Sequence, residues 1–227
     1  MTDFMGFTPE TIDFLWQLRM NNHKAWMEEN RERYQTLLKE PFDALSYQLY
    51  TRFTQEHPEF PVDYSVSRIN RDVRFSKDKS PYKPRKWMVL KEPGTTAQQW
   101  KERPVLYFEL MPEGYICGMG FYDSKPQYMR ALRKRIDAAP QIFARLAQDM
   151  TQQKEFVLYG DKYKRPMSTK EYQPAVMEWY NRKSLDLVAE SSIDDLLFSP
   201  DLVSLVLQRW EAMLPLYAFL RKTEIEV

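Results

Sequence analysis

The chain has 227 residues, 43% hydrophobic, 15% aromatic and 29% charged, with a formal net charge of +1; this balance excludes a disordered or membrane-embedded class and suits a globular chain that buries roughly 70% of its unfolded surface. Cys117 is the only cysteine and His23 and His57 are the only histidines, which excludes an intrachain disulfide and leaves too few ligands for a Cys- or His-rich zinc site or a His-based triad. The amino-terminal sequence lacks a basic stretch ahead of an apolar core, and no apolar run approaches the ~20 residues of a membrane span, so a cytoplasmic protein with no membrane partner is expected.

Thr8-Pro9-Glu10 reads as an N-cap followed by proline at the first helical position, and Ile12, Phe14, Leu15 and Leu18 supply the apolar face before Asn21-Asn22 ends the helix. Trp26, Met27, Asn30, Tyr34, Leu37 and Leu38 fall on one side of a second helix, and Phe42, Leu45, Leu49 and Phe53 repeat the period after Pro41. Beyond the His57–Pro61 linker the period drops to two, predicting a short strand at about Ser65 to Asn70 and another at Trp87 to Leu90. Pro93 to Pro104 is polar and turn-rich, hence an exposed loop with Gly94-Thr95-Thr96 at its tip. Val105 to Met111 and Tyr115 to Tyr122 alternate around Pro112-Glu113-Gly114, the pattern of a tight antiparallel hairpin.

Ser124 is placed to cap a helix carrying Tyr128, Met129, Leu132 and Ile136, and Pro140 starts another with Ile142, Phe143, Leu146 and Met150. A strand near Phe156 to Leu158, a helix at Pro174 to Tyr180 and a strand at Leu185 to Ala189 follow. Ser191 and Asp194 resemble a capping box, ahead of helices at Pro200 to Leu214 and Pro215 to Arg221. The expected fold class is α+β: a single domain with an antiparallel or mixed sheet flanked by helices, made of a helical cap (1–56), the sheet with its helices (62–190) and carboxy-terminal helices (191–227).

Charge is concentrated in one place. Arg68 to Lys86, RINRDVRFSKDKSPYKPRK, holds eight basic residues and two aspartates, a net +6 that leaves −5 for the other 208 residues. Local positive fields face anions, and arginine and lysine both bind phosphate and carboxylate well. Arg68, Arg71, Arg74, Lys77, Lys79 and Lys83 are the candidate anion ligands, with Tyr82 beside them and Asp72 and Asp78 either orienting the arginines or holding Mg²⁺, the one class of metal the composition leaves open. The competing view makes the run a solvated loop: Asp72 caps a turn, Ser76 to Lys79 form another, Tyr82 buries a ring, and Glu28, Glu29 and Glu32 offer countercharge.

Lys162 to Arg165 form a second basic loop interleaved with Tyr163, while Trp26, Trp87, Tyr82 and Tyr163 are candidates for base stacking. Gly118 and Gly120 share a strand face and leave a bare strip for a close neighbour. Asp123-Ser124-Lys125 superficially suggests a metal-dependent nuclease, although the triplet is short and overlaps the helix cap.

Asn21 to Trp26, the run from Arg68 to Lys83, the loop Gly160-Asp161 through Tyr163-Lys164-Arg165-Pro166 and the end Pro215-Leu216-Tyr217 with Phe219-Leu220 together resemble a widespread family of conserved hypothetical proteins, a domain of unknown function of bacteria and fungi. The resemblance spans nearly the whole chain and implies no activity; only Pro93 to Pro104 is longer than it implies. The residues therefore leave three readings: a binder of a phosphate-bearing ligand, nucleotide or nucleic acid; a non-catalytic module that docks an acidic protein partner; and a Mg²⁺-dependent nuclease or phosphoryl-processing enzyme. An aspartate base among so many cations would have its pKa lowered rather than raised, which ranks catalysis below binding.

Overall fold

A computed structural model describes residues 3–74, 77–165, 167 and 171–223. Its core element is a six-stranded antiparallel sheet in the order β1-β2-β3-β4-β6-β5, formed by Asp63–Val66, Lys86–Lys91, Val105–Met111, Gly114–Gly120, Phe156–Tyr159 and Asp186–Ser192 as β1 to β6. The fold is α+β, with helices at both ends of the chain. The chain divides into two compact units, Met1–Leu90 with Tyr107–Ile116 and Ser191–Gln208, and Lys91–Leu106 with Cys117–Glu190 and Arg209–Val227.

In the first unit, α1 (Pro9–Met20) begins where Thr8 and Pro9 predict, and the Thr8 amide donates to Thr11 Oγ1. After α2 (Lys24–Glu29) and the single turn α3 (Arg31–Arg33) the chain does not continue as an ordinary helix. Tyr34–Lys39 is π-helical, with the Glu40 amide reaching back five residues to the Gln35 carbonyl, before α4 (Glu40–Glu56) resumes. Pro41 gives the reason. It has no N–H to offer the Leu37 carbonyl four residues back, and that carbonyl accepts the Thr11 hydroxyl at 2.8 Å instead. A widened turn ahead of a proline thus takes the place of the uninterrupted second helix the periodicity suggests.

α4 buries Phe42, Leu45, Leu49 and Phe53, each worth roughly 1.5–3 kcal/mol of transfer free energy. Phe42 meets Phe108 of β3 at 6.0 Å between ring centres, and Phe108 meets Tyr115 of β4 at 6.0 Å. Lys86, Met88 and Leu90 share the face of β2 that turns to α4, because strand side chains alternate and the Lys86 ammonium lies over the Phe42 ring. By the same alternation Glu109, next to Phe108, falls on the opposite face. The hairpin turns at Pro112-Glu113, and Gly114 has φ +156°, where an added Cβ would overlap the Ser191 carbonyl.

The strand expected at Ser65 to Asn70 is shorter and earlier, ending at Val66, and Asn70 instead makes a lone antiparallel bridge with Tyr82. Ser191 belongs to β6 rather than to a helix start, and Asp194 caps the following turn, accepting the Leu197 amide at 3.1 Å and the Tyr115 hydroxyl at 3.1 Å.

In the second unit, α5 (Pro126–Ala138), α6 (Pro140–Gln152) and α7 (Pro174–Tyr180) stand where the sequence puts them, but the residue before Pro126 at the N-cap is Lys125, not Ser124. Ile142 is 59% exposed, because α6 buries Phe143, Ala147 and Met150 and Ile142 lies off that stripe. The loop expected from Pro93 to Pro104 contains a 3₁₀ turn, Gln99–Glu102, that buries Trp100 against Tyr122. The two helices expected at the carboxy end are one, α8 (Leu202–Arg221), running through Pro215. An interior proline costs about 3 kcal/mol, and burial of Met213, Leu214, Leu216 and Tyr217 around it offsets that. The strip at Gly120 is filled by Leu185 and Asp186, whose atoms leave no room for a Cβ, so a neighbouring stretch of chain, not a ligand or a helix, explains that glycine.

Candidate functional site

The basic run is a hairpin-like excursion whose base is tied and whose tip is exposed. At the base the Arg71 amide donates to the Pro81 carbonyl and the Lys83 amide to the Ile69 carbonyl, both at 2.8 Å, on either side of the Asn70 and Tyr82 bridge. Asn22, in the turn after α1, holds the same point from outside: its side-chain carbonyl accepts the Tyr82 amide and its NH₂ donates to the Tyr82 carbonyl, each at 3.0 Å. The Tyr82 ring is buried, as the solvated-loop view requires.

At the tip the charges are largely spent on one another. Asp72 receives Arg74 through two side-chain hydrogen bonds of 2.9 and 2.7 Å, Asp78 lies 3.0 Å from Arg71 and caps Ser80, and Lys79 donates to the Val73 carbonyl. Hydrogen bonds from Arg74 hold the Asp72 carboxyl well below the usual carboxylate range, and those from Ser80 lower Asp78. Both aspartates thus act on arginines, and neither has the raised pKa a general base requires. Lys77 is exposed; Ser76, expected to open its turn, lies outside the described residues. Glu28, Glu29 and Glu32 do not supply the countercharge: among the described residues the run's ion pairs are with Asp72, Asp78 and Glu109.

The root of the run contributes differently. A cavity of about 430 Å³ opens beside it. One wall comes from α2 to α4 and the π-helical turn between them, through Met27, Arg31, Tyr34, Gln35, Lys39 and Asp43; the other comes from the end of β1 and the loop root, through Arg68, Ile69, Asn70, Tyr82 and Lys86. Four cations face one carboxylate, and Asp43 is already 2.9 Å from Lys39. Among the described residues the side chains of Arg31, Gln35, Arg68 and Asn70 make no hydrogen bond or ion pair. Lys86 is 3% exposed, donates to the Ser67 carbonyl at 3.0 Å and has its ammonium 5.4 Å from the centre of the Phe42 ring. Burial pushes its pKa down, with Asp43 pulling the other way.

On the opposite face Lys83 lies over the Trp87 ring at 5.6 Å, and burial, reinforced by Arg85, Lys86, Arg68 and Arg71, pushes its pKa down to about 8. Arg85 pairs with Glu109 at 3.1 Å, and burial raises the Glu109 pKa. Of the predicted residues, then, Arg68 and Tyr82 line the cavity, Lys83 flanks the sheet, and Arg71, Asp72, Arg74, Lys77, Asp78 and Lys79 form the tip. Arg31, Tyr34, Gln35, Lys39, Asp43 and Lys86 escaped the sequence reading as a group. The one local signal was Lys39-Glu40-Pro41, a proline that breaks helical hydrogen bonding where these residues need to be displayed.

The second basic loop belongs to the other unit. Lys162 pairs with Glu178 at 2.6 Å, and Arg133 and Lys183 lie 5.2 and 5.5 Å from the centre of the Tyr163 ring. Arg133 is buried, donating to the Tyr180 and Arg182 carbonyls, so it braces the fold. Lys164 and Arg165 are exposed, and Pro166 lies outside the described residues. Trp26 is half-buried, with its ring packed on that of Phe14 at 5.6 Å between centres. The Asp123 and Lys125 side chains pair with each other at 2.7 Å, and among the described residues no group of three or more His, Cys, Asp or Glu gathers as metal ligands. Cys117 is buried beside Arg209, its thiol pushed up to about 11 chiefly by burial.

The sheet, the clamped basic hairpin and the cation-lined cavity belong to an α+β protein. The chain belongs to the family described as conserved hypothetical protein (DUF2461), which matches residues 10–219. A search of the curated proteins finds no match. No helix among the described residues is long and apolar enough to cross a membrane.

Proposed function

We propose that this is a cytoplasmic protein that binds a phosphate-bearing ligand, and that it does so in the cavity at the root of the 68–86 run rather than at its tip. The observation that carries this reading is Lys86, a buried ammonium with one hydrogen bond, to the Ser67 carbonyl, and no carboxylate at ion-pair distance among the described residues. Keeping a charge out of water costs several kcal/mol unless something compensates it, and an anion entering the cavity does so. The π-helical turn supports the same placement, since such turns recur at functional sites and this one brings Tyr34, Gln35 and Lys39 to the cavity wall.

A thermal-shift series with inorganic phosphate, nucleotides and short RNA and DNA tests it, run on the wild type, on Lys86→Met and on the double variant Lys77→Glu, Lys79→Glu. A ligand at ~100 times its Kd stabilises by about 2.7 kcal/mol, or roughly 5–10 °C for a chain of this size. The expected result is a shift that Lys86→Met abolishes and the tip variant keeps. A steeply salt-dependent shift for nucleic acid that only the tip variant abolishes moves binding to Arg71–Lys79. No shift with any phosphate compound overturns the proposal in favour of an acidic protein docked by the tip.

A further inference from the structure

Resting on that phosphate-binding reading, we infer that the cavity takes a terminal phosphate monoester and turns away internal phosphodiesters. Burial grades the cavity from floor to mouth. Lys86 is 3% exposed and forms the floor, while Arg31, Gln35, Arg68 and Asn70 are exposed and form the mouth. A monoester presents three free oxygens on one side and a single substituent on the other, so its phosphate reaches a floor cation while the rest of the molecule points out. A phosphodiester inside a polymer carries chain on both sides, and its phosphorus is held at the mouth.

The charges fit the same class. At neutral pH a monoester carries about −1.5 to −2, whereas a diester carries one negative charge. Lys39 is answered by Asp43, which leaves Lys86 at the floor and Arg31 and Arg68 at the mouth as three cations without a carboxylate partner among the described residues, more charge than one negative phosphodiester answers. The volume of about 430 Å³ lies within the roughly 300–1,000 Å³ of small-molecule sites, room for a phosphate with a ring-bearing unit beside it. Tyr34 and Met27 give that unit an apolar wall, and the free amides of Gln35 and Asn70 can bond its hydroxyls or ring edges.

Calorimetric titration of the intact protein decides the matter, using adenosine 5′-monophosphate, ribose 5-phosphate, adenosine, adenosine 3′,5′-cyclic monophosphate, inorganic phosphate and an oligothymidylate with a 5′-hydroxyl. At least one of the two monoesters is expected to bind about tenfold or more tightly than the cyclic diester, the nucleoside and the oligomer, with a comparable loss in Lys86→Met. Should that variant fold poorly, the exposed Arg68→Gln carries the same expectation. Equal binding of the cyclic diester or of the oligomer overturns the monoester assignment while phosphate binding stands, as does binding of inorganic phosphate without either monoester. If none of the phosphate compounds binds, both readings fall together.

Discussion

Replacing Lys86 by methionine separates a residue kept for a ligand from one kept for the fold. The side chain is 3% exposed, its ammonium makes one hydrogen bond, to the Ser67 carbonyl at 3.0 Å, and its other close contact is the Phe42 ring. Exchanging buried charges for apolar side chains of similar volume is often neutral or stabilising by about 1–4 kcal/mol. Against this, leaving the Ser67 carbonyl unsatisfied costs about 1–3 kcal/mol. Methionine keeps the length and most of the volume of the lysine stem, so the balance comes to about 0.5 kcal/mol in favour of the variant, or a Tm about 1–2 °C higher. Stability gained with binding lost is the signature of a residue retained for function. Denaturant titration of ligand-free wild type and Lys86→Met measures the first part, and phosphate-ligand titration the second. A variant destabilised by more than about 2 kcal/mol would refute the reasoning, because the ammonium would then be holding the fold through its bond to Ser67. The pH dependence follows with a definite sign: an anion beside Lys86 raises its pKa, binding takes up a proton, and affinity falls as pH rises through the lowered pKa of the free protein.

Other residues give independent tests. Asn22→Ala removes both hydrogen bonds to the Tyr82 backbone and should cost about 1–2 kcal/mol, with the Arg71 and Lys83 amides losing hydrogen-exchange protection before the rest of the first unit; unchanged protection there would mean the hairpin base needs no clamp. Lys83 has a folded pKa of about 8 against an ordinary 10.5, so its unfolded form binds more protons in between, and its contribution to stability rises from about pH 8 to 10.5 and is flat below. The difference between wild type and Lys83→Met across that range should show the slope, reduced because the side chain is only half buried, and a slope of opposite sign would reverse the assignment. Cys117, buried with its thiol at about 11, should resist a thiol reagent at pH 8 until denaturant is added, and rapid native labelling would show that the second unit opens there.

What the sequence alone determined is whatever depends on residues close together in the chain. Thr8-Pro9 starts α1, Pro112-Glu113-Gly114 turns the hairpin, and prolines at 140 and 174 begin two helices, because capping, φ restriction and tight turns are local chemistry. The concentration of charge between Arg68 and Lys86 was equally legible, since it needs only counting. Which of those charges remain available was not. Arg71 and Arg74 are answered within the tip by Asp78 and Asp72, while Lys86, which looked like one basic residue among eight, is the one buried under α4. Pro215 read as a boundary, yet burial on both sides carries α8 through it. The cavity depends on Arg31, Tyr34, Gln35 and Lys39 meeting Arg68 and Lys86, 29 to 55 positions later in the chain. Pairing between distant residues is set by packing of the sheet against α4 and by a π-helical turn that answers a missing proline N–H, and only the tertiary structure decides where that leaves each charge.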